Sequence, residues 1–314
     1  MTQPGPPAKL PTMQQNRART YALAGQAVTA PQLAAGLYVV ATPIGNLRDI
    51  TLRALETLAA ADLVACEDTR VTHRLLNHYG ITAPTTPYHE HNAAAARPKL
   101  LARLAEGAAV ALVSDAGTPL ISDPGFKLVR EARAAGHAVV AVPGASAALT
   151  ALAAASLPTD RFFFEGFLPA KDGQRRSRIA ELAAIPATLV LYETGPRIAR
   201  SLAALAETLG SREAAVCREL TKLHEEIRRG DLMTLAREYA EGAETRGEFT
   251  LVIAPPDAEA ARPEPGEIDD MLRRALRTAS MKDAVGDVAA ATGRPRREIY
   301  QRALALGAER DGEA

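Results

Sequence analysis

Short apolar runs alternate with segments of helical periodicity along most of the chain, beginning at Gly36. The apolar runs of the first half are residues 37–42, 62–66, 109–114 and 138–143, with a weaker candidate at 86–91. They lack the in–out alternation of half-exposed strands, and helical or alanine-rich segments lie between them. Such strands are typical of a mostly parallel sheet with helices on both faces, so we predict an α/β domain over residues 36–157.

A second series of the same kind begins after LPTDR (157–161), which has the composition of a linker. Its predicted strands are residues 162–167, 188–193, 214–220 and 248–254, and its predicted helices are about 174–184, 196–209 and 231–241. We therefore predict a second α/β domain, whose sheet could be parallel or mixed, over residues 158–256.

The two ends of the 314-residue chain differ in composition from these domains. Residues 1–35 are rich in Pro, Gln and Ala and contain no acidic residue, which predicts a disordered N-terminal tail. Residues 257–314 begin as a Pro-rich acidic linker and continue as a basic stretch at 271–304. Apolar residues at helical spacing on both sides of Gly293 predict a small appendage of helix, turn and helix.

Charge and cysteine content exclude several classes of protein. Lys plus Arg and Asp plus Glu number 37 each, which excludes a globally basic nucleic-acid-binding protein but not a local basic patch. Cys66 and Cys217 fit no CxxC spacing, so we expect no disulfide framework and no metal site. No apolar run approaches the ~18–20 residues of a membrane span, and the first residues lack a signal-like apolar core. We expect a cytoplasmic protein without membrane contact.

Three unusual loops follow predicted strands of the first domain: TPIGN (42–46), SDAGTPLISDPG (114–125) and PGASA (143–147). Ligands of open α/β sheets bind beyond the carboxyl ends of the strands, so these loops predict a ligand site. Gly117 would let the backbone approach a ligand, and Asp115 could bind an ammonium group or a ribose hydroxyl. The alternative is a tight turn in which Asp123 caps the next helix. No GxGxxG, GxxxxGK[ST] or HExxH motif is present.

Acidic and histidine residues follow two further predicted strands. Glu67 and Asp68 end a strand in CEDTR (66–70), where a carboxylate could serve as a general base. Alternatively, Asp68 merely caps the following helix. His89 and His91 flank Glu90 without an obvious third metal ligand, which favours polar residues at the edge of the site or plain surface histidines over a metal site.

Eight segments of unusual composition occur in a fixed order between residues 36 and 254. They are ATPIGNLRDIT, CEDTR, HEHN, LVSDAGTPLISDPG, VPGASA, DRFFFEGFLPAK, RELTKLHEE and RGEFTLVI. Together they resemble the ribosomal RNA small-subunit methyltransferase I family of the tetrapyrrole-methylase superfamily. The resemblance implies S-adenosyl-L-methionine as methyl donor, bound in a cleft between two α/β domains of tetrapyrrole-methylase type. It also implies 2'-O-methylation of a cytidine ribose in 16S rRNA of the small ribosomal subunit, and a homodimer.

The resemblance also assigns residues to the cofactor and to the RNA. The cofactor residues that it implies are Pro43, Gly45, Asp115, Ala116, Gly117, Ile121, Ser122, Ser146, Ala147, Leu168 and Tyr192. Residues on the RNA side, or with an architectural role, would be Glu67, Asp68, His89, His91, Asn92, Lys222 and Glu225. The general base stays open, with Asp68, Glu67 and His89 as candidates in that order.

One position departs from the family pattern. The family usually has a His immediately before the Arg that follows the YE pair, whereas here Pro196 precedes Arg197. No role is therefore carried over to Pro196. Arg197 stays a candidate for a phosphate contact, or an ordinary exposed cation at the start of a helix.

Two basic segments are candidates for further RNA contacts. One is KDGQRRSR (171–178), with Lys171, Arg175 and Arg176, and the other is the predicted helical appendage, with Arg294, Arg296 and Arg297. The alternative for the appendage is a packed hairpin whose arginines are only solvated. Aromatic residues do not interleave with these cations, so neither segment indicates a base-stacking platform.

The leading interpretation is an RNA ribose 2'-O-methyltransferase. One alternative is a methyltransferase for a small molecule such as a tetrapyrrole precursor, and another is a non-catalytic RNA-binding assembly protein on the same scaffold. The basic C-terminal helices and the LTKLHEE and HEHN stretches favour RNA, and the intact SDAGTP loop argues against a non-catalytic protein.

Overall fold

Two five-stranded sheets with their helices form most of the structure, a computed structural model that describes residues 19–257, 265–292 and 294–312. The first sheet is parallel throughout, in the order β5-β4-β6-β3-β7. Its strands are β3 (Gly36–Val40), β4 (Leu63–Cys66), β5 (Thr85–Pro87), β6 (Ala109–Val113) and β7 (Val139–Val142). The helices between and after them are α1 (Leu52–Ala60), α2 (Thr69–His78), α3 (Ala93–Ala105), α4 (Phe126–Ala134) and α5 (Ala147–Ala155). The predicted α/β class is confirmed.

The second sheet is mixed, in the order β11-β10-β12-β9-β8, and only β8 and β9 pair in parallel. Its strands are β8 (Phe162–Phe167), β9 (Thr188–Thr194), β10 (Glu213–Arg218), β11 (Glu226–Asp231) and β12 (Glu248–Ile253). Its helices are α6 (Asp172–Ala183), α7 (Gly195–Leu209) and α8 (Leu232–Ala240). Strand β11 was not predicted, because this edge strand has one side in solvent and carries the polar sequence EIRRGD.

Three helices follow, α9 (Pro265–Ala275), α10 (Met281–Thr292) and α11 (Arg296–Gly312). They share a small apolar core that includes Leu272, Val288 and Ile299. The predicted helical appendage is present, with one helix more than the predicted pair, while Gly293 and residues 258–264 lie outside the described residues. Within the described ranges, no helix has the length and apolar character needed to cross a membrane.

The prediction of a disordered tail over residues 1–35 is wrong for residues 20–29, and residues 1–18 lie outside the described part of the chain. Strands β1 (Thr20–Leu23) and β2 (Gln26–Thr29) form an antiparallel hairpin on the first domain. Tyr21 is only 4% exposed in the core of that domain, and the Ala22 amide donates to the Tyr79 carbonyl at 2.7 Å. The residues that stabilise the hairpin are distant from it in sequence, so the composition of residues 1–35 did not predict these contacts.

Helix α5 joins the two domains. It follows the last strand of the first sheet but packs on the second sheet, against β9, β10 and β12. Ala148, Ala151 and Ala155 on α5 are buried with Val190 and Val252 of that sheet. Alanine side chains let a helix approach a sheet closely, so an alanine-rich helix can hold the two sheets together.

Replacing Tyr21 by Ala should lower the free energy of unfolding by about 3 kcal/mol, because it leaves a cavity under the hairpin. Urea unfolding at pH 7 measures the change. Leu23→Ala, in the same strand but 38% exposed, is the matched control and should cost well under about 1 kcal/mol. Equal, small losses in both variants would mean that the hairpin does not contribute to the core.

Candidate functional site

A cavity of about 350 Å³ lies between the two domains at the strand ends of both sheets. From the first domain it is lined by loops that follow β3, β4, β6 and β7. From the second it is lined by the ends of β8, β9 and β10 and by the start of β12. The lining residues of the first domain are Ile44, Glu67, Asp115, Ala116, Gly117, Thr118, Ile121, Ser122, Asp123, Ser146 and Ala147. Those of the second domain are Phe167, Tyr192, Glu193, Thr194, Cys217, Leu220, Lys222, Glu248, Phe249 and Thr250.

Most of the residues assigned to a cofactor line this cavity. They are Asp115, Ala116, Gly117, Ile121, Ser122, Ser146, Ala147 and Tyr192. Pro43, Gly45 and Leu168 do not line it, although each lies next in sequence to a residue that does. The structure therefore brings together three loops that are well separated in sequence, as their positions after parallel strands predicted.

The loop 114–125 is fixed by backbone contacts. Thr42 and Gly117 exchange two amide–carbonyl hydrogen bonds, at 2.8 and 3.1 Å, which tie this loop to the loop after β3. Gly117, Leu120 and Ser122 all have positive φ angles, of 74°, 76° and 64°. Non-glycine residues in that region store strain, and such strain is common at ligand sites.

Asp123 does not cap the next helix. Gly125 occupies the N-cap position of α4, and the Asp123 side chain faces the cavity. The pKa of Asp123 is raised to about 6, mainly by burial and in part by the charges of Glu67 and Asp115, while a hydrogen bond from Ser114 opposes the shift. The interpretation of this residue as a helix cap is therefore wrong, and Asp123 is a cavity carboxylate that the sequence pattern did not predict.

Glu67 and Asp115 complete an acidic wall with Asp123. The Asp115 carboxylate accepts a hydrogen bond from the Asp68 amide at 2.9 Å, which joins the ends of β4 and β6. Burial is the main cause that raises the pKa of Glu67 and the pKa of Asp115, and neighbouring carboxylates add to it. A wall of half-buried carboxylates favours a cationic ligand and offers a proton acceptor near neutral pH.

Asp68 caps a helix and does not line the cavity. It is the N-cap of α2, where its carboxylate accepts from the Arg70 amide at 2.8 Å and pairs with the Arg70 guanidinium at 2.6 Å. Hydrogen bonds from Arg70 lower the pKa of Asp68 to about 2. A carboxylate so stabilised in its charged form is a weak base, so the alternative role as a cap describes Asp68 better than the role of base.

The histidines of HEHN lie outside the cavity lining. Asn92 pins this loop, because its side chain accepts from the His89 amide at 2.9 Å and donates to the Pro87 carbonyl at 3.0 Å. The His89 and His91 rings are 6.1 Å apart, and His91 is exposed. No group of three potential metal ligands occurs among the residues that the structure describes.

Arg197 is not placed for a phosphate contact. Its guanidinium points inward, pairs with Glu193 (Nε to Oε1, 3.1 Å) and donates to the Leu168 carbonyl. Glu193 is 2% exposed and also accepts from the Ser201 hydroxyl at 2.5 Å. The phosphate-contact prediction is therefore corrected: the ion pair holds together β9, α7 and the chain after β8, which form one wall of the cavity.

Lys222 closes another side of the cavity. Its ammonium group binds Glu219 at 2.8 Å and Glu248 at 2.7 Å. Its aliphatic part lies over Gly45 of the first domain, where an added Cβ would be 2.4 Å from the Lys222 Cγ. Glu225 supports this loop by accepting from the Thr221 amide at 2.5 Å. Lys222 thus bridges the domains, and Glu225 has an architectural role.

The basic segment 171–178 is less available than its sequence suggested. Arg175 is 5% exposed and pairs with Asp172, so its prediction as an RNA contact is wrong. Arg176 pairs with Asp172 at 3.0 Å and with Glu207, whereas Lys171 is exposed. In the C-terminal unit, Arg294 pairs with Glu298.

Comparison with known proteins identifies relatives over nearly the whole chain. The family described as Tetrapyrrole (Corrin/Porphyrin) Methylases matches residues 36–236, and the RsmI C-terminal HTH domain matches residues 262–307. A protein of Mesorhizobium japonicum named ribosomal RNA small subunit methyltransferase I is 53% identical over 280 residues, which are 89% of this chain and 95% of that protein. Its namesake in Erythrobacter litoralis is 54% identical over 278 residues, 88% of this chain and 98% of that protein.

Solved structures share the fold at low sequence identity. A diphthine synthase has a TM-score of 0.56 at 17% identity, covering 69% of this chain and 89% of its own. A uroporphyrin-III-C-methyltransferase from Thermus thermophilus has a TM-score of 0.52 at 24% identity, covering 70% of this chain and 94% of its own. At these identities the likeness concerns the fold of the two domains.

Asp123→Asn should stabilise the protein at pH 8 and leave its stability unchanged near pH 3. The pKa of Asp123 is raised from 3.8 to about 6 in the folded protein. The native chain therefore has its full free energy of unfolding while this carboxyl is protonated, and loses part of it as pH rises through about 6. Urea unfolding of the variant and the native chain across this range measures the difference. Asp160→Asn, in the exposed linker, is the control and should show no such trend. A difference that did not grow with pH would contradict the cavity placement of Asp123.

Proposed function

The chain belongs to the ribosomal RNA small subunit methyltransferase I family, and we propose that it transfers a methyl group from S-adenosyl-L-methionine to the 2'-hydroxyl of a cytidine ribose in 16S rRNA. The observation that carries the proposal is the cavity between the domains, which gathers most of the residues assigned to the cofactor. Identity above 50% over nearly the whole length supports small-subunit rRNA over a tetrapyrrole precursor as the substrate.

The cavity fits the cofactor chemically. S-adenosyl-L-methionine carries positive charges on its sulfonium and ammonium groups, a carboxylate, and an adenine ring. The carboxylates of Glu67, Asp115 and Asp123 supply the opposite charge on one wall. Tyr192 and Phe167, with rings in edge-to-face contact at 5.7 Å, supply an aromatic surface on the other. A volume of about 350 Å³ lies within the usual range for small-molecule sites.

The residues of the chain would then position the reactants and accept a proton. When bound, the cofactor supplies an electrophilic methyl carbon. The two domains hold donor and acceptor sites in one cavity, and such alignment can supply several kcal/mol of the barrier reduction. Of the predicted bases, Glu67 lines the cavity, whereas Asp68 and His89 do not. We assign proton removal from the ribose hydroxyl to Asp123, whose pKa of about 6 suits a base near neutral pH, or to Glu67, whose pKa burial also raises.

A homodimer is part of the proposal. Strand β7 is an edge of the first sheet, and Val140 on it is 38% exposed. Arg53 at the start of α1 donates to the Ala141 carbonyl at 3.2 Å, which brings the exposed Leu52 near this edge. An apolar edge of this kind is suited to a symmetric contact between two copies.

Incubation with tritiated S-adenosyl-L-methionine and small subunits from a strain lacking this gene tests the proposal. We expect transfer to the RNA, and digestion to nucleosides should place the label in 2'-O-methylcytidine. Label in a methylated base, or transfer only to a porphyrin precursor added in parallel, would contradict it.

Asp115→Asn should weaken cofactor binding about tenfold in calorimetry, since hydrogen bonds to charged groups contribute about 1.5–3 kcal/mol, whereas the Asp160→Asn control should not.

The rate of methyl transfer under single-turnover conditions should rise with pH through about 6 and then level off. The reason is that a base with the raised pKa of Asp123 must lose its proton before it can accept another. Asp123→Asn should remove this step and slow transfer about 100-fold or more at saturating cofactor, where weaker cofactor binding does not contribute to the loss. An unchanged rate and pH profile in this variant would assign the base to Glu67, and the same test applied to Glu67→Gln would then decide.

A further inference from the structure

A basic groove lies on the three-helix C-terminal unit and shares no lining residue with the cavity between the domains. It is formed by the beginnings of α10 and α11 and is lined by Met281, Lys282, Val285, Arg296, Arg297 and Tyr300. Its volume is about 480 Å³, and it is widely open to solvent. Val285, 5% exposed, forms an apolar floor, and the three cations stand around it.

The cations of the groove differ in their partners from three other arginines of the unit, whereas Arg274 and Arg277 also form no ion pair among the described residues. Arg273, Arg294 and Arg302 pair with Asp270, Glu298 and Asp269. Lys282, Arg296 and Arg297 are exposed and form no ion pair within the described ranges. The nearby carboxylate of Asp283 is bound by the Ser280 hydroxyl at 2.6 Å. The three cations of the groove therefore carry positive charge that no carboxylate among the described residues pairs with directly.

Gly286 and Tyr300 shape the groove. The Arg296 guanidinium lies over Gly286, where an added Cβ would be 3.0 Å from Nη2, so a larger residue would displace it. Tyr300 follows Arg296 and Arg297 by four and three positions, which places it on the same side of α11. Its side chain is 44% exposed. An exposed aromatic ring thus lies beside the cations of the groove. This neighbourhood of Tyr300 was not predicted from the sequence.

We propose that this groove binds a single-stranded segment of the substrate rRNA, with phosphates on Lys282, Arg296 and Arg297 and a base stacked on Tyr300. The proposal rests on the proposed function and adds to it a binding site outside the catalytic cavity. Unpaired cations match phosphates, and an exposed ring stacks on any base regardless of sequence. A single aromatic ring in a groove between two helix starts suits an unstacked strand better than a duplex, whose bases are covered.

Binding of a labelled single-stranded RNA from the decoding region, at several salt concentrations, tests this assignment. The full-length double variant Arg296→Gln/Arg297→Gln should bind at least about tenfold more weakly, and the slope of log affinity against log salt should fall by roughly 1.4, since each phosphate contact to a single strand contributes about 0.7. Arg273→Gln/Arg274→Gln, the same charge change on α9, is the matched control and should leave affinity and slope within a few-fold of the native protein.

Variants at Tyr300 distinguish the contribution of base stacking to RNA binding from that of charge. Tyr300→Ala should weaken RNA binding about 5- to 100-fold without changing the salt slope, and Tyr300→Phe should restore it. Both variants should bind S-adenosyl-L-methionine normally, and Tyr300→Ala should raise KM for the small subunit with little change in kcat. Circular dichroism of each variant checks that the helices stay folded.

Two results would overturn the assignment. The first is RNA binding by the groove variants equal to that of the α9 control. The second is equal competition by polyglutamate together with an unaffected Tyr300→Ala variant, which would make the groove a surface for acidic peptides. In both cases the native protein could still methylate rRNA, so failure of this proposal is distinguishable from failure of the proposed function.

Discussion

The packing of α5 on the second sheet is the contact on which the site depends. This helix leaves the first sheet at β7, and its buried alanines lie against Val190, Ala215 and Val252 of the other domain. Because the side chains are small, the sheet approaches closely enough for the strand ends of both domains to enclose one cavity. Ile44 and Leu220 belong to the same apolar cluster and also line the cavity, so the domain contact is continuous with the cavity wall.

Charge is separated along the chain even though its sum is zero. The cavity holds Glu67, Asp115 and Asp123, whose partial burial is costly unless a cation or a proton joins them. That wall attracts a sulfonium compound and repels the phosphates of an RNA strand. Unpaired cations are found instead on the C-terminal unit, so the cofactor and the RNA phosphates of the proposed reaction meet surfaces of opposite sign.

The sequence was sufficient for the parallel sheet and for the loops of the cavity, because buried parallel strands are uniformly apolar and ligand loops follow them. It was not sufficient where a residue's partner is set by tertiary structure. Arg175 and Arg197 looked like exposed cations, but one is buried and the other binds a carbonyl 29 residues away. Asp123 is a possible cap by sequence alone, because only folding brings its side chain to the same cavity as Glu67 and Asp115. The hairpin at Tyr21 was missed for the same reason.

Pro196 shows how the departure from the family pattern is accommodated. It lies in the first turn of α7, where a proline loses no backbone hydrogen bond and its fixed φ suits the helix. The neighbouring Arg197 keeps its link to Glu193 and to the Leu168 carbonyl, so the wall of the cavity does not depend on the side chain at position 196. The start of α7 therefore forms with proline in place of the histidine that the family resemblance leads one to expect.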